Sequence, residues 1–336
     1  MKKKFRKICA SALAVIVAAV ILDGFCSWYY NPLAYLREES RATDTVREPN
    51  AFTSRATEGI AWTVTDANGY NNAAVPEDGV FVLAMGSSHM EGFNVMQDKM
   101  ISSRLEALLE ESGTGGSVYN IGMSSHTLCR NIANLDRALE KFSPTGYVIL
   151  ETHDIAITRR EIKKALNDSF GRRKATNVPL PDFLSKRPLL RTLYNQYMLF
   201  TGEENATNVG ATLKKSLVEA YNASILSLMQ KVADAAEKHG VTAILLYHPH
   251  LLLQEDGSVK PQTDSNCLQA FVAACEKAGV AFVNMADDFI ENYQATHMLP
   301  HGFANTVPGT GHLNEEGHRL AAQALYREIL RLEAEK

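Results

Sequence analysis

Five short apolar runs set the terms for this chain: GVFVLAM (79–85), SVYNIG (117–122), GYVILET (146–152), VTAILLY (241–247) and VAFVNMA (280–286). Each is too short for a helix. Each is also too continuously apolar for a strand with one wet face, which would alternate. Between and after them, apolar residues recur at helical spacing over 95–111, 126–142, 210–240, 266–279 and 313–335. Strands buried on both faces and joined by helices demand a parallel sheet with helices on either side. Ligands of such sheets bind beyond the carboxyl ends of the strands, so the loop after each strand is where chemistry is expected.

The expected fold class is α/β: a three-layer α/β/α, doubly wound five-stranded parallel sheet in flavodoxin-like order, plus one N-terminal transmembrane helix. Five of the first seven residues are basic, and an apolar run follows from Ile8 to Leu22, then Phe25, Trp28, Tyr29 and Tyr30. Extended to Tyr29, the run is long enough to span a bilayer, and aromatics suit its interface. The expected organisation is a cytoplasmic basic tail (1–7), a signal anchor (8–28), a stalk or irregular lead-in (29–76) and a catalytic-type domain (77–335), with an insertion at about 155–208. Basic residues stay cytoplasmic, so the body faces outward; a cleaved signal peptide is the alternative, leaving it secreted. The net charge is −4, and with the bases gathered at the N-terminus the body is more acidic still. Binding to nucleic acid is not expected. Five cysteines without regular spacing are not a disulfide scaffold.

Four loops carry polar groups. After the first run stands GSSHMEG (86–92), which puts Ser88 on a tight strand-to-helix turn suited to a nucleophile; a capping serine is the plainer reading. After the second, Asn120-Ile121-Gly122 offers a backbone N–H, or an ordinary turn. After the third come Glu151, Thr152, His153 and Asp154, and before the last helix GTGHLNEEGH (309–318) presents His312 in a glycine-flanked loop, with His318 in a supporting position.

Together these blocks resemble the SGNH (GDSL-like) hydrolase superfamily. GSSHMEG stands for GDSxxxG, NIG for the second-block glycine, ETHD for GxND and GTGH for DxxH. The resemblance implies Ser88 as nucleophile, His312 as base, and an oxyanion hole from Ser88, Gly122 and His153. Gly309 replaces the acid that would orient the histidine; Asp154, Glu151, Asp287 and Asp288 are the candidate carboxylates. His89, Asn120 and His248 are candidates for the substrate cleft. The implied activity is ester cleavage through an acyl-enzyme, with an ester-bearing glycan or small acyl ester as partner and no cofactor. Membrane-tethered members of the superfamily often act on acyl groups of envelope glycans.

Three alternatives stand beside that reading. Transfer of the acyl group to a hydroxyl would make the chain an O-acyltransferase. Loss of the signature polar positions would make it a catalytically degenerate binding module in envelope assembly. A metal hydrolase would use His248 and His250 with His312 or His89, although no paired HExxH motif appears; the expectation is that no metal takes part.

Overall fold

The computed structural model describes residues 2–33, 35–37, 45–170, 187–201 and 215–336. The expected parallel sheet is present. Its strands are β6 (Val82–Met85), β7 (Val118–Asn120), β8 (Tyr147–Thr152), β9 (Thr242–Tyr247) and β12 (Ala281–Asn284), ordered β12-β9-β8-β6-β7 and all parallel. Renumbered within the sheet this is 2-1-3-4-5, the flavodoxin-like order.

The apolar runs are continuous because each strand feeds two cores. Leu83, Met85, Val148, Leu150, Ala243 and Leu245 point to one face, where α4 (Leu128–Phe142), α5 (Arg159–Leu166), α7 (Lys215–Lys238) and α8 (Ser265–Ala278) lie. Val82, Ala84, Tyr147, Ile149, Ile244 and Leu246 point to the other, against α3 (Ile101–Glu111), α9 (Ala286–Thr296) and α10 (Glu315–Ala334). Each fully buried Leu or Ile contributes about 1.5–3 kcal/mol. A polar residue at one of these positions would therefore be costly on either side.

Tertiary contacts reset several boundaries. The helix expected from residue 95 begins at Ile101, after a short turn at Gln97–Lys99. Its first amide donates to Nδ1 of His318 on α10 (3.2 Å), so a distant side chain acts as its cap. The hairpin of β10 (Leu251–Leu253) and β11 (Val259–Pro261) and the helix α9 were not read from the sequence. The three cysteines of the body, Cys129, Cys267 and Cys275, are buried and unpaired, small hydrophobes as their spacing suggests.

The lead-in at 29–76 is not a free stalk. β1 (Tyr30–Asn31), β4 (Phe52–Arg55) and β5 (Ala61–Val64) form an antiparallel sheet. Beyond it Tyr70, Asn71 and Asn72 are buried, and Asn72 bonds the backbone of Asn120 on β7. Buried Arg47, on β3 (Thr45–Arg47), which pairs antiparallel with β2 (Tyr35–Arg37), forks onto Glu91 (2.8 and 3.2 Å). The apolar helix α1 (Lys2–Tyr29) precedes this sheet, is long and apolar enough to cross a membrane, and leaves its run from Ile8 to Leu22 exposed, only its last turns from Asp23 onward being partly buried. Of the expected insertion, α5 packs with α4 and α7, while α6 (Pro188–Thr201) lies along α1; residues 171–186 and 202–214 lie outside the described residues.

Candidate active site

Ser88 opens a one-turn helix, α2 (Ser88–Glu91), immediately beyond β6. Ser87 caps that helix, its Oγ accepting the His89 amide (3.3 Å), and left-handed Gly92 ends it. Glu151, at the end of β8, holds the turn from beneath. It accepts the Ser87 N–H (2.6 Å), the Ser87 hydroxyl (2.9 Å) and a bond from Nε2 of His248 (2.7 Å). Gly86 is required here, because a Cβ would stand 2.3 Å from Glu151 Oε2. Glu151 is thus committed to the turn, and burial raises its pKa.

His312 comes to Ser88 from the loop before α10. Its Nε2 lies 2.8 Å from Ser88 Oγ. Gly302 N–H donates to the His312 carbonyl (3.0 Å), and Leu313 N–H donates to Nδ1 of His89 (3.1 Å). The two bonds hold both polar groups of the His312–Leu313 peptide and so fix the loop just after the histidine.

The carboxylate on His312 is Glu58, which corrects the expectation of Asp154, Glu151, Asp287 or Asp288. Glu58 Oε2 lies 2.6 Å from His312 Nδ1, and Oε1 accepts the His312 backbone N–H (2.6 Å). Burial alone would raise the Glu58 pKa; the bonds from His312 outweigh it and hold the group below the usual carboxylate value. The β4–β5 turn carrying Glu58 is pinned by Asn94, which donates to the Glu58 carbonyl (2.9 Å), and by Asn305, which bonds Ala56 and Gly59. Gly311, at φ +76°, has no Cβ to intrude; one would sit 2.1 Å from Glu58 Oε1. Asp154 serves its own loop, accepting the Ala156 amide (2.8 Å). Asp287 and Asp288 begin α9, where Asp288 pairs with Arg327.

Other expected site residues also move. Gly122 donates its N–H to Asn120 Oδ1 (2.8 Å), so it is not presented to a ligand. It is a glycine because a Cβ would meet the backbone of Met90 and Glu91 at 2.6–2.8 Å. Asn120 is buried and also bonds the Met90 carbonyl (2.7 Å), which makes it part of the scaffold rather than the cleft. His248 is fully buried and His89 nearly so; neither lines an open cleft. His153 is exposed at the end of β8, its ring centroid 4.7 Å from that of His89. Ser88 N–H has no hydrogen-bond partner among the described residues.

His89 is the hub of a histidine cluster. The rings of His248, His312 and His301 lie 4.7, 5.0 and 5.8 Å from it. Burial, first of all, and the neighbouring imidazoles push His89, His248 and His301 well below the ordinary histidine pKa, so all three are neutral. Sequence reading singled out His89 and His248 but not His301. It also missed Glu58, an acid in an irregular stretch 254 residues from the histidine it touches, with no spacing to connect them.

No protein-family model matches the chain, and no curated protein sequence does. Among solved structures, a psychrotrophic esterase from Pseudoalteromonas sp. is 13% identical, with 75% of this chain and 98% of that one aligned at a TM-score of 0.38. A member of the lipolytic G-D-S-L family from Veillonella parvula is 13% identical over 73% and 96% of the two chains, at 0.36. An acetyl xylan esterase is 10% identical over 74% and 98%, at 0.40. These likenesses are remote, and the fold and the site geometry stand on the chain's own residues.

Proposed function

We propose that this chain is a membrane-tethered serine esterase of the SGNH type, acting through an acyl-enzyme on ester groups, chiefly acetyl, of an extracytoplasmic glycan. One observation carries the reading: Ser88 Oγ, His312 and Glu58 form an unbroken hydrogen-bonded line, 2.8 Å then 2.6 Å. That is the arrangement a nucleophile, its base and an orienting acid require. His312 Nε2 takes the Ser88 proton as Oγ attacks the ester carbonyl. The Ser88 N–H and the His153 ring, at the open edge of the loop, are the groups available to the oxyanion. The tetrahedral intermediate collapses and expels the alcohol, which takes its proton from His312. Water, activated in turn by His312, releases the acid.

The anchor reading is supported by how the end of α1 joins the body. Asp23 accepts the Leu189 N–H (3.1 Å) and faces Arg187 (3.6 Å). Ser54 and Ala56 donate to the carbonyls of Ser27 and Tyr29, each at 2.8 Å. Cleavage beyond Asp23 would discard the Asp23 bonds to Leu189 and Arg187. The intact mass of the protein recovered from the membrane fraction tests this; loss of the first two dozen residues would overturn it.

The activity is tested by labelling the full chain in detergent with a fluorophosphonate probe. Labelling of the wild type and Ser87→Ala, with none in Ser88→Ala or His312→Ala, is expected. A folded wild type that takes no label would leave the degenerate binding module as the better reading. Product analysis with an acetyl ester and a sugar acceptor separates esterase from acyltransferase.

A further inference from the structure

The His301 ring is 1% exposed, and neither of its nitrogens has a hydrogen-bond partner among the described residues. Leaving even one such group unpaired costs about 1–3 kcal/mol. Beside it, His248 gives Nε2 to Glu151 and leaves Nδ1 without a partner. His248, His301 and His89 each bring a ring nitrogen to within 4.8 Å of the others, all three buried. We propose that His89, His248 and His301 form a site for a divalent transition metal of the zinc class, and that filling it inhibits the adjacent Ser88–His312 pair. The inhibitory half rests on the esterase reading; the binding half does not.

The donor set decides the class of ion. Three imidazoles suit zinc, cobalt, nickel or copper, whereas magnesium and calcium want oxygen ligands. Burial keeps all three rings neutral, as ligands must be. The bond from His248 to Glu151 is the carboxylate–histidine contact that orients metal ligands: it places the proton on Nε2 and leaves the buried Nδ1 with a lone pair that no hydrogen bond uses among the described residues. Metal–nitrogen bonds of about 2.0–2.1 Å require the three rings to draw together from their present separation.

His89 makes the site inhibitory. Its Nδ1 accepts the Leu313 N–H (3.1 Å), so the ring proton is on Nε2. To ligate through Nδ1, His89 must give up the Leu313 bond. To ligate through Nε2, its proton must move to Nδ1, which again ends that bond. Either way, metal binding releases the residue that follows His312 and loosens the base from Ser88.

The test is cobalt(II) absorption and zinc calorimetry on the full chain in detergent, with His301→Phe and His248→Phe beside it. Ser88→Ala serves as a variant outside the ligand set, and thermal unfolding checks that each is folded. The expected result is one equivalent bound by wild type and Ser88→Ala, with visible bands of tetrahedral cobalt, and at least tenfold weaker binding in a folded histidine variant. No stoichiometric binding to folded wild type, or unchanged binding in both histidine variants, overturns the site. Zinc is expected to slow fluorophosphonate labelling of wild type and to leave labelling of His301→Phe unslowed; equal labelling of wild type with and without zinc overturns the inhibition. If the wild type never labels, the esterase reading falls while the binding result still decides the site.

Discussion

Glu58 holds His312 twice, through Oε2 on the ring Nδ1 and through Oε1 on the backbone N–H, both at 2.6 Å. One carboxylate therefore fixes the tautomer of the ring and the position of the loop that bears it. Glu58→Gln keeps the shape and removes the charge. The rate of serine labelling should fall on the order of 10²–10⁴-fold, as for an orienting acid in other triads. Asp154→Asn and Asp288→Asn, measured alongside, should stay near wild type; a loss there and none in Glu58→Gln would refute the assignment.

Gly311 makes that contact possible. Gly311→Ala puts a methyl group on Glu58 Oε1 and an alanine at φ +76°. We expect a stability loss of about 1–3 kcal/mol from the backbone alone and a labelling rate as low as that of Glu58→Gln. Urea denaturation and labelling kinetics on one preparation check both.

The buried pair Arg47–Glu91 joins the lead-in to α2, one turn from Ser88. Burial would raise the Glu91 pKa, but Arg47 and Ser124 pull it below the usual value. Arg47→Ala strands that carboxylate, which should cost about 3–5 kcal/mol. Replacing both residues with methionine should cost less than the single change, as read by urea midpoints.

Acid should destabilise the protein well above the usual carboxylate range. Burial above all, with the nearby Arg104 guanidinium adding to it, holds His318 at about 3 against an ordinary 6.5. Between those values the unfolded chain binds a proton that the folded chain refuses. Stability is therefore full above pH 6.5 and falls as pH drops, by about 1.4 kcal/mol per pH unit for this group. Glu91, lowered from 4.5, adds to the loss below that pH. The melting temperature should decline from pH 6.5 to 4.5, and less steeply in His318→Asn; a flat profile would contradict the buried neutral ring.

The sequence by itself determined the sheet, its helical layers, the apolar N-terminal helix and the loops that carry Ser88 and His312. These are local properties: the period of apolar residues, the length of a run, a glycine beside a serine. The tertiary structure alone decided what each polar group meets. It gave Glu151 to the turn beneath Ser88 and tied Gly122 to Asn120, and it brought Glu58 across 254 residues to His312. No periodicity encodes such contacts. A carboxylate costs little to display on any loop, and its partner is fixed only when folding brings a second loop, with room made by Gly311, within hydrogen-bonding reach.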